Sequence, residues 1–400
     1  MPQPATAQEI VAHKVTEFGR SRRDLVRAIA QRTHQAIPAE IEQFFDALEA
    51  GEWAEIDRQW TALSKRSAQY EGSTHSPELD PFWCAVLDAY GVAEQAHDWP
   101  AQELLDYGNA ILSSLRPGMV YIGGTDNGRW IPELLNETSD GERHVIITQN
   151  ALADSRYLEY VSELYADRLN TISQQDSKQA FQEYVTDAQQ RLEHDQRFPN
   201  DPKQIRPGED VRMVDGKVQV SGQIAVMSIN EKLIQALISK NPDLSFALQE
   251  SAPLRGTYPD AVPLGPLMEL RAQDGQTAFT SELAQQSVAY WRDLATQIAA
   301  DPETTASTAA LKSYSHDSVS AANLLASHHF TAEAEEAYRV AARIWPENPE
   351  SVGGLADLLL ATGREKEAQQ LVEKFTLQYP NQQKDLDRLR SAWHVQGSIN

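Results

Sequence analysis

The chain has 400 residues in which Asp and Glu outnumber Lys and Arg 58 to 35, a net charge of -23; this repels phosphate backbones and anionic lipid heads and sets nucleic acid and membrane surfaces aside as partners. That length exceeds one ordinary core and predicts two or three domains, and a hydrophobic content of 41% supplies the apolar area to fold them. The single cysteine, Cys84, excludes an intramolecular disulfide and a zinc site of paired cysteines.

Met1 to Ile10 has no basic stretch followed by an apolar run, so the reading is cytoplasmic by default, extracytoplasmic if a leader has been trimmed. From Ala7 to Ala36 apolar residues recur at helical spacing (Val11, Val15, Phe18, Leu25, Ile29), predicting one long helix or a kinked pair. Ile41, Phe44, Phe45 and Leu48, then Trp53, Ile56, Trp60 and Leu63, flank Gly51 and predict a helical hairpin turning on the glycine. A polar loop over Glu71 to Ser76 and helices near 80–95 and 100–114 complete a helical N-terminal region, 1–115.

Beyond Pro117 the pattern changes. Gly118 to Gly124 is a short apolar run between glycines, followed by helical spacing from Trp130 to Leu135; His144 to Thr148 repeats the device ahead of a helix from Asp154 to Leu169. Strand, turn and helix twice over predict a mostly parallel, Rossmann-like α/β domain over 116–300. Within it we read a helix at 177–194, a hairpin of 211–214 and 217–220 turning on Asp215-Gly216, a helix at 224–240, strands at 244–248 and 267–270, and a helix at 280–299.

Gly123, Gly124, Thr125, Asp126, Asn127, Gly128 and Arg129 follow a strand and open a helix, where free N–H groups and a positive dipole end suit an anion. Arg129 offers a bidentate contact to phosphate or carboxylate, and Asp126 is the candidate acid/base, or a ligand for a metal ion or sugar hydroxyl. With no lysine the loop is neither a Walker A loop nor G-x-G-x-x-G, and no cofactor is read from it. Gln149, Asn150 and Asp154 follow the next strand and belong at the same sheet edge; Glu250 and Tyr258 are candidates for a third wall. The plain alternative is that Thr125 or Asp126, and Asp154, cap their helices. No H-E-x-x-H or G-x-S-x-G occurs, His328-His329 and His194-Asp195 suit surface or packing roles, and no metal site is predicted.

In the C-terminal region, 301–400, a period can be counted. Ala334, Tyr338, Ala341 and Pro346 recur 34 residues later as Ala368, Val372, Phe375 and Pro380, so 314–381 resembles tetratricopeptide repeats, which usually bind proteins. The first helices depart from the family's pattern at Leu325 and Leu359, beside the small Ala322 and Ala356. The Gly-Thr-Asp-x-Gly-Arg loop, Ile147 to Asp154, Ile229-Asn-Glu-Lys-Leu, Leu244 to Leu248 and Pro263-Leu-Gly-Pro266 together resemble a group of uncharacterised bacterial tetratricopeptide proteins. More distantly, 115–271 is similar to the soluble C-terminal region of protein O-mannosyltransferase-like membrane proteins; the membrane helices that would hold a lipid-linked sugar are lacking, so transferase activity does not carry over. Three functions compete: a binding scaffold whose repeats hold a protein or peptide and whose crevice takes a small anionic or sugar-like ligand; a hydrolase or a glycosyl or phosphoryl transferase acting between loops 123–129 and 149–154; and a structural assembly subunit.

Overall fold

The computed structural model describes residues 5–67, 74–165, 167–205, 209–214, 216–270 and 279–394. Two compact units divide the chain at Leu169 and Asn170, inside the segment expected to form the central domain.

In the first unit, α1 (Ala7–Thr33) is one unbroken helix opened by a capping box between Thr6 and Glu9. Helices α2 (Ala39–Ala50) and α3 (Trp53–Ser64) turn on Gly51 at φ 72°, where the N–H groups of Gly51 and Glu52 bond back to Leu48 and Ala47 as the sequence predicts. Of the expected polar loop, residues 71–73 lie outside the described residues. Helices α4 (Trp83–Asp98) and α5 (Ala101–Ser114) precede β1 (Val120–Gly123), α6 (Asp126–Glu137), β2 (Val145–Thr148) and α7 (Ser155–Tyr165). β1 and β2 run parallel in the register Val120↔Val145 to Gly123↔Thr148. Both strands are buried along their whole length, as a crossover unit requires.

The second unit opens with α8 (Gln174–Arg197), the hairpin of β3 (Asp210–Val214) and β4 (Lys217–Ser221), and α9 (Gln223–Lys240). Val214 pairs with Lys217 as expected; Asp215 of the predicted turn lies outside the described residues. Here the expected parallel sheet is corrected. β5 (Phe246–Leu248) pairs antiparallel with β7 (Leu267–Leu270), and β7 pairs antiparallel with β6 (Ala261–Leu264), a strand not anticipated. The pairings are therefore mixed: β1–β2 is parallel, and β5–β7 and β6–β7 are antiparallel. Pro263 hides β6 from the sequence, because proline donates nothing to a ladder; it is tolerated here because β6 is an edge strand that pairs on one side only, with β7.

The remainder is helical: α10 (Ser281–Ala300), α11 (Pro302–Ala306), α12 (Thr308–Ser327), α13 (Thr331–Ile344), α14 (Pro349–Ala361), α15 (Glu365–Gln378) and α16 (Gln383–His394). Of the residues counted at the 34-residue period, Ala334, Tyr338, Ala341, Ala368 and Phe375 are buried, Val372 is half-buried, and Pro346 and Pro380 are exposed where the second helices end. Ala322, Ala334, Ala341, Ala356 and Ala368 are buried together with Tyr338 and Leu359. Gly354 is small for a reason: a Cβ there would meet the Tyr338 ring at 2.3 Å. The turns repeat as well. His329 and Phe330 bond back to Ala326 and Leu325, and Gly363 and Arg364 bond back to Leu360 and Leu359, so one helix-terminating motif recurs at the same period. Its left-handed residue is His329 (φ 63°) in one hairpin and Gly363 (φ 74°) in the next. Among the described residues no helix is long and apolar enough to cross a membrane.

Candidate functional site

Because β1 and β2 are parallel, their carboxyl ends and the loops that follow lie at one edge, as the sequence predicts. Asn150 ties the two loops together by donating its amide N–H to the Gly124 carbonyl at 2.6 Å. Gly123 must lack a side chain, since a Cβ would stand 2.9 Å from the Gly128 carbonyl oxygen. Thr125 is the N-cap of α6 and accepts the Gly128 N–H at 3.1 Å. Asn127 donates to the Tyr107 hydroxyl at 3.1 Å, and Asp126 is exposed at the rim.

Pro132 sits inside α6 and brings no N–H, so the carbonyl four residues back, that of Gly128, has no helical donor. The Tyr121 hydroxyl from β1 supplies one at 2.5 Å. On the second loop, Gln149 is buried, and Asp154 accepts the Arg156 N–H at 2.9 Å, which makes it the cap of α7.

The expectation for Arg129 is overturned. Its side chain turns inward and pairs with Asp88, which is fully buried, and lies 3.6 Å from Glu133 one turn along α6. Arg22 of α1 reaches the same Glu133 at 2.7 Å and stands 3.9 Å from Asp88, while the Tyr160 hydroxyl donates to Asp88 at 2.5 Å. The guanidinium of Arg129 lies 5.3 Å from the Tyr157 ring centre, and that tyrosine's hydroxyl accepts the Thr148 N–H at 2.8 Å. Two cations and two carboxylates thus neutralise one another beneath the loops. Burial, reinforced by the charge of Asp88, pushes the Glu133 carboxyl up, and Arg22 and Arg129 pull it back. Arg129 opposes burial with its acidic neighbours and stays charged. Committed in this way, it is not an anion clamp. Burial likewise pushes the nearby Cys84 thiol up to about 12.

Arg22, Asp88 and Glu133 escaped the sequence reading. The legible sign was Arg22, which stands on the apolar stripe of α1 between Phe18 and Val26, all three buried.

Glu250 and Tyr258 belong to the second compact unit, where the Tyr258 hydroxyl donates to both Glu250 oxygens at 2.8 and 3.0 Å and both residues are buried. Neither walls an open crevice. Burial pushes the Glu250 carboxyl up to about 7. Its backbone carbonyl meets His316 Nε2 of α12 at 2.8 Å, and His316 Nδ1 meets Glu350 of α14 at 2.8 Å. Burial opposes charge on this ring, but the carboxylate of Glu350 outweighs it and raises the imidazole to about 10. Gln249 donates to Asp317 at 2.8 Å, and His328 Nε2 bonds the Tyr258 carbonyl at 2.7 Å. The segment from Gln249 to Tyr258 is thereby fastened along α12. His328 is a packing residue, as the sequence reading has it.

Within the repeats, α13 and α15 leave a groove of about 640 Å³ with Leu355 and Leu359 of α14 in its lining. Among the described residues no group of three or more His, Cys, Asp or Glu is placed to hold a metal ion.

The comparison with known families agrees with the helical geometry: a tetratricopeptide-repeat model matches residues 329–392. No curated protein and no solved structure matches the chain, so nothing there carries the likeness to mannosyltransferase-like proteins.

Proposed function

We propose that the chain is a protein-binding scaffold in which the repeats are the docking module. The observation that carries this reading is the 34-residue recurrence of core and turn together: buried Ala334, Tyr338 and Ala341 against Ala368 and Phe375, and the two matching helix terminations at His329 and Gly363, in the segment that the repeat family matches. Paired helices stacked this way expose long, rigid, side-chain-rich faces that suit an extended partner segment. The inward turn of Arg129 and the internal bonding of Glu250 and Tyr258 favour this reading, because they withdraw three of the polar groups that a small-ligand crevice would use.

A photo-crosslinking residue placed in the full-length protein at Gln370 or Leu377 of α15, and as a control at Gln182 of α8, tests the reading; all three sites are exposed. Protein adducts are expected from the α15 positions and not from Gln182. Equal yields at all three would remove the assigned role of the repeats.

A further inference from the structure

One side of the repeats is already taken. The segment from Gln249 to Tyr258 covers α12 through Asp317, His316 and His328, and Glu350 of α14 is held by His316. The groove between α13 and α15 is different. Its lining combines apolar Ala342, Leu355, Leu359 and Leu371 with charged side chains, and most of those charges are satisfied inside the chain. Glu336 pairs with Arg292 at 2.7 Å, Arg339 with Glu335 at 2.5 Å, and Glu367 with Arg364 at 2.6 Å. Arg343 and Lys374 are exposed and have no ion pair among the described residues. Two cations left without counter-charge beside an apolar floor stand out in a chain of net charge -23.

We propose that the groove between α13 and α15 docks an acidic peptide segment that carries leucine-like side chains, its carboxylates meeting Arg343 and Lys374 and its apolar groups meeting the half-buried Ala342 and Leu371 above the buried Leu355 and Leu359. This rests on the protein-binding reading and names the partner's chemistry. The negative charge of the whole chain does not forbid it, because charges beyond about 8 Å are largely screened at physiological ionic strength. Local cations decide the match, and Lys and Arg stems add apolar contact of their own.

The test uses the full chain and a short fluorescein-labelled peptide in which leucines at every third or fourth position alternate with Asp and Glu, read by fluorescence polarisation. Wild type binds this peptide and does not bind a version with Lys in place of every acid. The double variant Arg343→Glu, Lys374→Glu, whose sites are exposed and whose fold is checked by circular dichroism, binds it about tenfold more weakly, and added salt weakens wild type but not the variant. Undiminished binding by the variant overturns the proposal, as does no binding of the acidic peptide by wild type. Concentration-dependent self-association abolished by the same variant also overturns it, naming a second copy as the occupant. If the peptide fails while a crosslinker at Leu377 still yields adducts, the groove is refuted and the scaffold reading stands.

Discussion

Replacing Arg129 by methionine separates a structural role from a binding role. Arg129 is 8% exposed, and loss of its guanidinium leaves Asp88, with no exposure at all, to the Tyr160 hydroxyl and to Arg22 at 3.9 Å. Removing one partner of a buried pair costs about 3–5 kcal/mol, because the remaining charge stays desolvated. Arg22 still offers Glu133 a bond at 2.7 Å, which places the expected loss near the lower end, about 3 kcal/mol. Urea unfolding followed by tryptophan fluorescence reads this well, since five of the eight tryptophans (Trp53, Trp60, Trp83, Trp99, Trp130) lie before residue 170. With a slope of about 2 kcal/mol per molar urea, the midpoint for this unit falls by about 1.5 M. A residue serving as an outward anion clamp would instead change stability by less than about 0.5 kcal/mol. A loss that small would refute the buried-cluster reasoning.

Further consequences follow from the same contacts. Tyr121→Phe strips the Gly128 carbonyl of its donor beside Pro132 and should destabilise the first unit by about 1–3 kcal/mol in the same urea assay, whereas an unchanged midpoint would mean that the carbonyl finds another partner. His329→Gly relieves a left-handed residue, worth about 1–2 kcal/mol, against about 0.5–1 kcal/mol of added chain entropy, so thermal unfolding of the repeats should move up slightly; Gly363→Ala should move it down. Both His316 and Glu250 have folded pKa values raised above their unfolded ones, to about 10 and about 7. Each therefore adds stability that is full below its unfolded pKa, about 6.5 for His and about 4.3 for Glu, and is lost as pH rises through the folded value. His316→Gln should lose less stability than wild type between about pH 6.5 and 10; equal slopes in urea titrations across that range would contradict the assignment.

The repeats were legible because their chemistry is periodic and local: a small alanine where helices touch, a large side chain four residues on, a proline at the end. Helices α1 to α5 and the strands β1 and β2 were legible for the same local reason, in spacing and in glycine-bounded apolar runs. Strand direction was not, because an apolar run such as Phe246 to Leu248 reads alike whether its neighbour is parallel or antiparallel. Nor was the fate of Arg129 legible. Asp88 is 41 positions away, and the bond from Arg22 to Glu133 spans 111. A glycine loop ahead of a helix looks the same whether its arginine reaches a ligand or turns into the core. Only the tertiary fold decides that. Asp126, Thr125 and Asn127 follow β1 at the edge where the loop after β2 also lies, yet shared position is not function, and the cap and the Tyr107 bond account for two of the three.

Amide hydrogen exchange with and without the acidic leucine-bearing peptide tests the central claim most directly, because it surveys the whole chain at once. Protection confined to α13, α14 and α15, between Thr331 and Gln378, is the result expected of a repeat groove that binds protein. Protection at 123–129 and 149–154 instead, with the repeats unchanged, would contradict it and return the binding site to the loops above β1 and β2.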